Sequence, residues 1–142
     1  MLITSLLLLA AQQTVASDST LTSEIRVDDL KAHIGFLASD ELEGRESGLA
    51  GGHQAANYVE SNFRRIGLKP LANQDGEYQI DFELKRQGLT CKNVVGVLEG
   101  TNPELADSYI AIGGHHDHAG VGGPGAMGFP GEIHNGADDN AS

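Results

Sequence analysis

Leu30, Ile34 and Leu37 recur at spacings of four and three, which places them on one face of a helix. Asp28 or Asp29, just upstream, offers a carboxylate that can cap the first turn. The spacing predicts a first helix from there to near Gly44. Gly51 and Gly52 then precede a second stripe, Ala55, Val59, Phe63 and Ile66, with Glu60, Arg64 and Arg65 lying off it, the signature of an amphipathic helix. Gly67 ends that helix and Pro70 prevents its resumption. The period next falls to two: Tyr78, Ile80, Phe82 and Leu84 alternate with Gln79, Asp81 and Glu83, predicting a strand with one buried and one wet face. A second strand is expected over Asn93 to Leu98, then a turn at Gly100-Thr101-Asn102-Pro103 and a third strand from Tyr109 to Gly114. The third, with Tyr109-Ile110-Ala111-Ile112 apolar on both faces, is expected at the centre of a sheet covered on both sides.

That central strand runs straight into His115. In open α/β sheets, sites gather beyond the carboxyl ends of the strands, so the order of elements delivers a potential ligand to such a place. Nine of the nineteen glycines fall between Gly113 and Gly136, marking a long loop of the sort that usually carries function or is irregular.

Composition narrows the partners. With 142 residues, one domain is expected. Nine basic against twenty acidic residues, a net charge of −11, provide no basic patch to displace the counterions of a nucleic acid. The first sixteen residues combine the apolar run Leu6 to Ala11 with the small-residue pattern Thr14, Val15, Ala16, and read as a signal peptide cleaved near Ala16, although no Lys or Arg precedes the run. The expected location is secreted or periplasmic. The run is well short of the roughly 20 residues that span a bilayer, and no membrane span is expected. Cys91 is the only cysteine and reads as a structural residue.

Two segments carry candidate chemistry: His115-His116-Asp117-His118, and Gly136-Ala137-Asp138-Asp139-Asn140-Ala141-Ser142. Imidazole nitrogen and carboxylate oxygen suit zinc, and a carboxylate on the remote ring N–H of a histidine makes it a better ligand. His115 and Asp117 can form such a pair. Taken alone, the first segment also fits a solvated polar loop, and the second an Asx-type turn or helix cap. Gly120-Val121-Gly122-Gly123-Pro124-Gly125 matches the dinucleotide-binding G-x-G-x-x-G pattern. It lacks the helix that must open at its last glycine, since Pro124, Gly128, Pro130 and Gly131 break one.

His-x-Asp after a buried strand, followed some twenty residues later by Gly-Ala-Asp-Asp-Asn-Ala-Ser, resembles metallopeptidase family twenty-eight, which includes secreted bacterial leucyl aminopeptidases. Phe36 to Arg45, Gly67-Leu68-Lys69-Pro70 and Asn93 to Gly100 resemble the upstream part of secreted members, so the likeness covers nearly all of residues 17–142. The resemblance implies a three-layer α/β/α zinc-exopeptidase fold with a mixed sheet, of which this chain is the N-terminal, truncated portion. It implies a peptide substrate, two zinc ions per complete site and a metal-activated water. His115 would bind one zinc, Asp138 would bridge both, Asp117 would hold His115, and Asp139 would follow Asp138 across a cis peptide bond. The general-base glutamate and the other ligands would lie downstream, so no catalytic residue is expected here and the chain alone is expected to be inactive. His116, His118 and His134 are expected in loop or pocket-wall roles, and His33 and His53 in structural ones. The competing readings are a non-catalytic module on the same fold and an enzyme resembling glutaminyl cyclases. With neighbouring strands missing, the third strand is expected to expose apolar surface and limit solubility.

Overall fold

A computed structural model of the protein describes residues 24–72, 74–85, 87–123 and 129–141. The expected signal peptide and the Pro124 to Gly128 part of the glycine-rich loop lie outside them. Helix α1 spans Val27–Leu37, a 3-10 segment Asp40–Arg45, helix α2 Ala50–Arg65, strand β1 Gln79–Leu84, strand β2 Leu89–Val94, and a short 3-10 turn Pro103–Leu105. The chain is α/β: two helices and one antiparallel hairpin among the described residues.

Asp28 and Asp29 sit inside the first turn of α1, where they favour the positive end of the helix dipole. The N-cap position is held by Arg26, without a side-chain cap. The helix also ends at Leu37, short of Gly44, because the backbone turns extended at Ser39 (ψ 154°), and further on Glu43 and Gly44 take positive φ angles. Of the predicted stripe only Leu37 is buried. Gly51 and Gly52 lie within α2 and do not precede it. A methyl group on Gly51 would strike the carbonyl of Leu42, and one on Gly52 that of Glu46, so these two positions let the helix backbone pack directly on the 3-10 segment. Gly67, at φ 79°, ends the helical stretch in the left-handed conformation a C-terminal glycine supplies.

The hairpin pairs Gln79 with Val94 through to Leu84 with Leu89. The second strand therefore begins four residues before its expected start and stops at Val94; Val95 N still donates to Tyr78 O at 2.8 Å, and an isolated bridge joins Val97 to Lys69. Tyr109 to Gly114 is not a strand. No described segment offers it a ladder of N–H and C=O groups, and Ile110 and Ile112 remain 94% and 96% exposed. Apolar pattern alone does not make a strand where no partner lies alongside.

The core is small. Leu37, Leu42, Ala55 and Ala141 form it, with Phe36, Ala38 and Tyr58 packed against it; the rings of Phe36 and Tyr58 stack at 4.4 Å. At its edge lies Arg45, with none of its surface exposed. Its guanidinium uses four of its five N–H groups on backbone carbonyls: Nε on His116 at 2.9 Å, Nη1 on Leu37 and on Asn135 at 2.6 Å, and Nη2 on Gly136 at 2.9 Å. Three distant stretches, the end of α1, the His115 segment and the approach to Asp138, are thus tied to one side chain. Burial lowers the Arg45 pKa, and the charges of Asp117 and Asp139 act against that shift. The Arg45 carbonyl accepts from His118 N at 3.0 Å, Gly44 O from Gly120 N at 3.0 Å, and Gly120 O from His134 N at 2.9 Å.

Replacing Arg45 by Met leaves these carbonyls unpaired in a buried site, at about 1–3 kcal/mol for the worst placed. We expect hydrogen exchange at the amides of His118, Gly120 and His134 to quicken by about a hundredfold, equivalent to ~3 kcal/mol of local stability. Unchanged protection at these three amides would contradict the clamp.

Candidate metal-binding site

The two segments singled out in the sequence meet. His115 follows the exposed apolar stretch, and its Nδ1–H donates to the backbone carbonyl of Asp117 at 2.9 Å, with the Asp117 carboxylate oxygen Oδ1 farther off at 3.5 Å. The expected carboxylate–histidine pair is therefore mainly a carbonyl–histidine pair. The Asp117 carboxylate is engaged elsewhere, as its Oδ2 accepts from the hydroxyl of Ser47. With Nδ1 carrying the proton, the neutral ring presents its lone pair at Nε2. That nitrogen lies 3.1 Å from Asp139 Oδ1.

Asp139, and not Asp138, is thus the carboxylate brought to His115. Asp138 is exposed and joins none of these contacts. The cis peptide bond lies between Asp139 and Asn140, one residue later than expected. Asn140 holds the turn from the other side, its Nδ2 donating to the His115 carbonyl at 3.2 Å. The second oxygen of Asp139 faces His118 Nδ1 at 3.6 Å, too far for a hydrogen bond. His118 is packed beneath the turn, where a methyl group on Gly136 would strike its ring. His134 lies beside it, ring centroids 6.5 Å apart. His33 lies apart from these contacts, its Nδ1 2.7 Å from the Tyr58 hydroxyl.

A tetrahedral zinc with bonds of about 2.0–2.1 Å separates neighbouring ligand atoms by about 3.3 Å. The His115–Asp139 spacing and its N/O donor set fit that edge. A catalytic zinc takes three protein ligands, and among the described residues no group of three His, Cys, Asp or Glu side chains converges as a metal site.

Residues 93–142 match the sequence model of Peptidase family M28. The likeness to that family is confined to this segment, about a third of the 142-residue chain. The match takes in both candidate segments and the last residues of β2. No curated protein and no solved structure gives a significant match. No helix among the described residues is long and apolar enough to cross a membrane.

Sequence reasoning did not single out Arg45, Ser47 or Asn135, whose Nδ2 donates to Ala38 O at 2.9 Å and to Asp40 Oδ1 at 2.7 Å. Arg45 closes the Phe36 to Arg45 stretch on which part of the family likeness rested, which is the one signal that could have drawn attention to it.

The adjacent histidines His115 and His116 are shifted in opposite directions. His115 is raised above 6.5, chiefly by its hydrogen bond to the Asp117 carbonyl. His116 is lowered below 6.5 by burial. A raised histidine contributes stability that is full below its unfolded pKa and lost as pH rises through the folded value; a lowered one contributes above its unfolded pKa and loses it as pH falls. NMR titration of the metal-free protein is expected to give a His115 midpoint above and a His116 midpoint below 6.5. Midpoints in the reverse order would contradict the geometry described.

Proposed function

We propose that this chain is part of an exported zinc-dependent aminopeptidase, in which His115 and Asp139 are two of the metal donors. The observation that carries the reading is the 3.1 Å approach of His115 Nε2 to Asp139 Oδ1, supported by the M28 match. In this reading Asp139 would be the carboxylate donor beside His115, where the family resemblance names Asp138. The reading also keeps the leader as a signal peptide and the wider fold as three layers with a mixed sheet.

Each nearby residue has a defined task. Asp117 holds the proton of His115 on Nδ1 through its carbonyl, leaving Nε2 to donate. Asn140 fixes the His115 backbone, and Arg45 joins the two donor segments. When bound, the metal would acidify a water and polarise the scissile carbonyl. Two donors are fewer than a catalytic zinc requires, so the remaining ligands and the general-base glutamate are assigned to residues outside this chain, and the 142-residue chain by itself is inactive.

Zinc titration by calorimetry separates the two aspartates. Asp139→Asn is expected to weaken zinc binding at least about tenfold, as loss of a coordinating group should, while Asp138→Asn changes it by less than about threefold. The opposite ranking would return the donor role to Asp138. Hydrolysis of an N-terminal leucine from a chromogenic peptide by the purified 142-residue chain would overturn the incomplete-site part of the proposal.

A further inference from the structure

We infer that Ser47 is a positioning residue for His115, acting through Asp117; the inference rests on the reading of His115 as a zinc donor. Ser47 lies in the short turn between the 3-10 segment and α2, 70 positions from Asp117 in sequence. Its backbone surroundings are fixed on both sides. Glu46 forms a parallel bridge with His118, and Leu49 N donates to Glu46 O at 3.1 Å. Gly48, at φ 77°, packs against Leu89 and Cys91 so closely that a methyl group there would strike the Leu89 side chain. The hydroxyl is therefore delivered to one place, and there it donates to Asp117 Oδ2.

That bond decides how Asp117 meets the imidazole. With Oδ2 held by Ser47, the other oxygen is turned toward His115 Nδ1 at 3.5 Å, while the Asp117 carbonyl takes the N–H at 2.9 Å. Side chain and backbone of one residue thus converge on a single ring nitrogen. Nε2 is left aimed at Asp139 Oδ1. Without the hydroxyl the carboxylate can rotate, half-exposed as it is, and the ring keeps its bond to the Asp117 carbonyl but loses the fixed carboxylate oxygen beside Nδ1 that steadies its direction. Residues that orient a metal-bound histidine typically change metal affinity by about 10–100-fold when removed. Ser47 acts one step further out, so a smaller effect is expected.

The test combines zinc affinity with the ring-nitrogen chemical shifts of His115 in the metal-free protein, for Ser47→Ala, Ser47→Thr, Asp117→Ala and the Ser47→Ala/Asp117→Ala pair. Ser47→Ala is expected to weaken zinc binding about five- to tenfold without changing stoichiometry, and to move the Nδ1 shift. Ser47→Thr, which keeps the hydroxyl, is expected to restore both. In the Asp117→Ala background, Ser47→Ala should add nothing, because the two residues act in series. The proposal is overturned if Ser47→Ala leaves the Nδ1 shift unchanged, or if its effect persists undiminished in the Asp117→Ala background. Absence of zinc binding by the wild-type protein would instead sink the metallopeptidase reading, and the metal-free nitrogen shifts would still decide the role of Ser47.

Discussion

A buried guanidinium with no carboxylate in hydrogen-bond contact is costly unless its protons are taken up. Arg45 meets that demand with carbonyls from residues 37, 116, 135 and 136. The requirement works in both directions: the charge must find acceptors, and stretches up to 91 positions away must stay where their carbonyls can be reached. The core around it is only a handful of side chains, too small to hold two irregular loops by apolar burial alone. A polar clamp with fixed fork geometry does so directionally. Its neighbour Gly44, at φ 71° and with no room for a methyl group beside Gly120 and His134, lets the same strip of backbone lie flat against the loop.

The consequence for the site is economy of support. His115 and Asp139 are themselves exposed, as donors open to a ligand must be, and neither is fixed by packing. Their positions descend from hydrogen bonds one step removed: the Asp117 carbonyl and Asn140 on the His115 side, and Arg45 on the carbonyls leading into the 137–140 turn. The charges of Asp117 and Asp139 also favour the ionised form of Arg45, so the acidic site and its basic clamp support each other.

Much of this was legible in the sequence where the physics is local. Helix periodicity at Ala55, Val59 and Phe63 and the alternation at Tyr78 to Leu84 mark real elements, and the leading motifs proved to be neighbours. What failed depends on non-local partners. Tyr109 to Gly114 has the pattern of a buried strand but lacks a neighbouring ladder, and pattern cannot supply one. Which of Asp138 and Asp139 faces His115 is likewise not set by spacing, since adjacent carboxylates in one turn differ only in where the backbone aims them; here it is Asp139 Oδ1 that lies 3.1 Å from His115 Nε2. Arg45 and Ser47 were invisible for a related cause: nothing near them in sequence announces that carbonyls and a carboxylate 70 or more positions away converge on them.

The claim on which the account turns is that Arg45 holds His115 against Asp139. The direct test is the nuclear Overhauser contact between the His115 ring Hε1 and the Asp139 β-protons, compared between wild-type protein and Arg45→Lys, which keeps the charge but loses the fork. The account predicts that this contact is present in the wild type and lost in the variant, while the contact between the Phe36 and Tyr58 rings survives as evidence that α1 still packs on α2. Persistence of the His115–Asp139 contact in Arg45→Lys would show that the two segments find each other without the clamp.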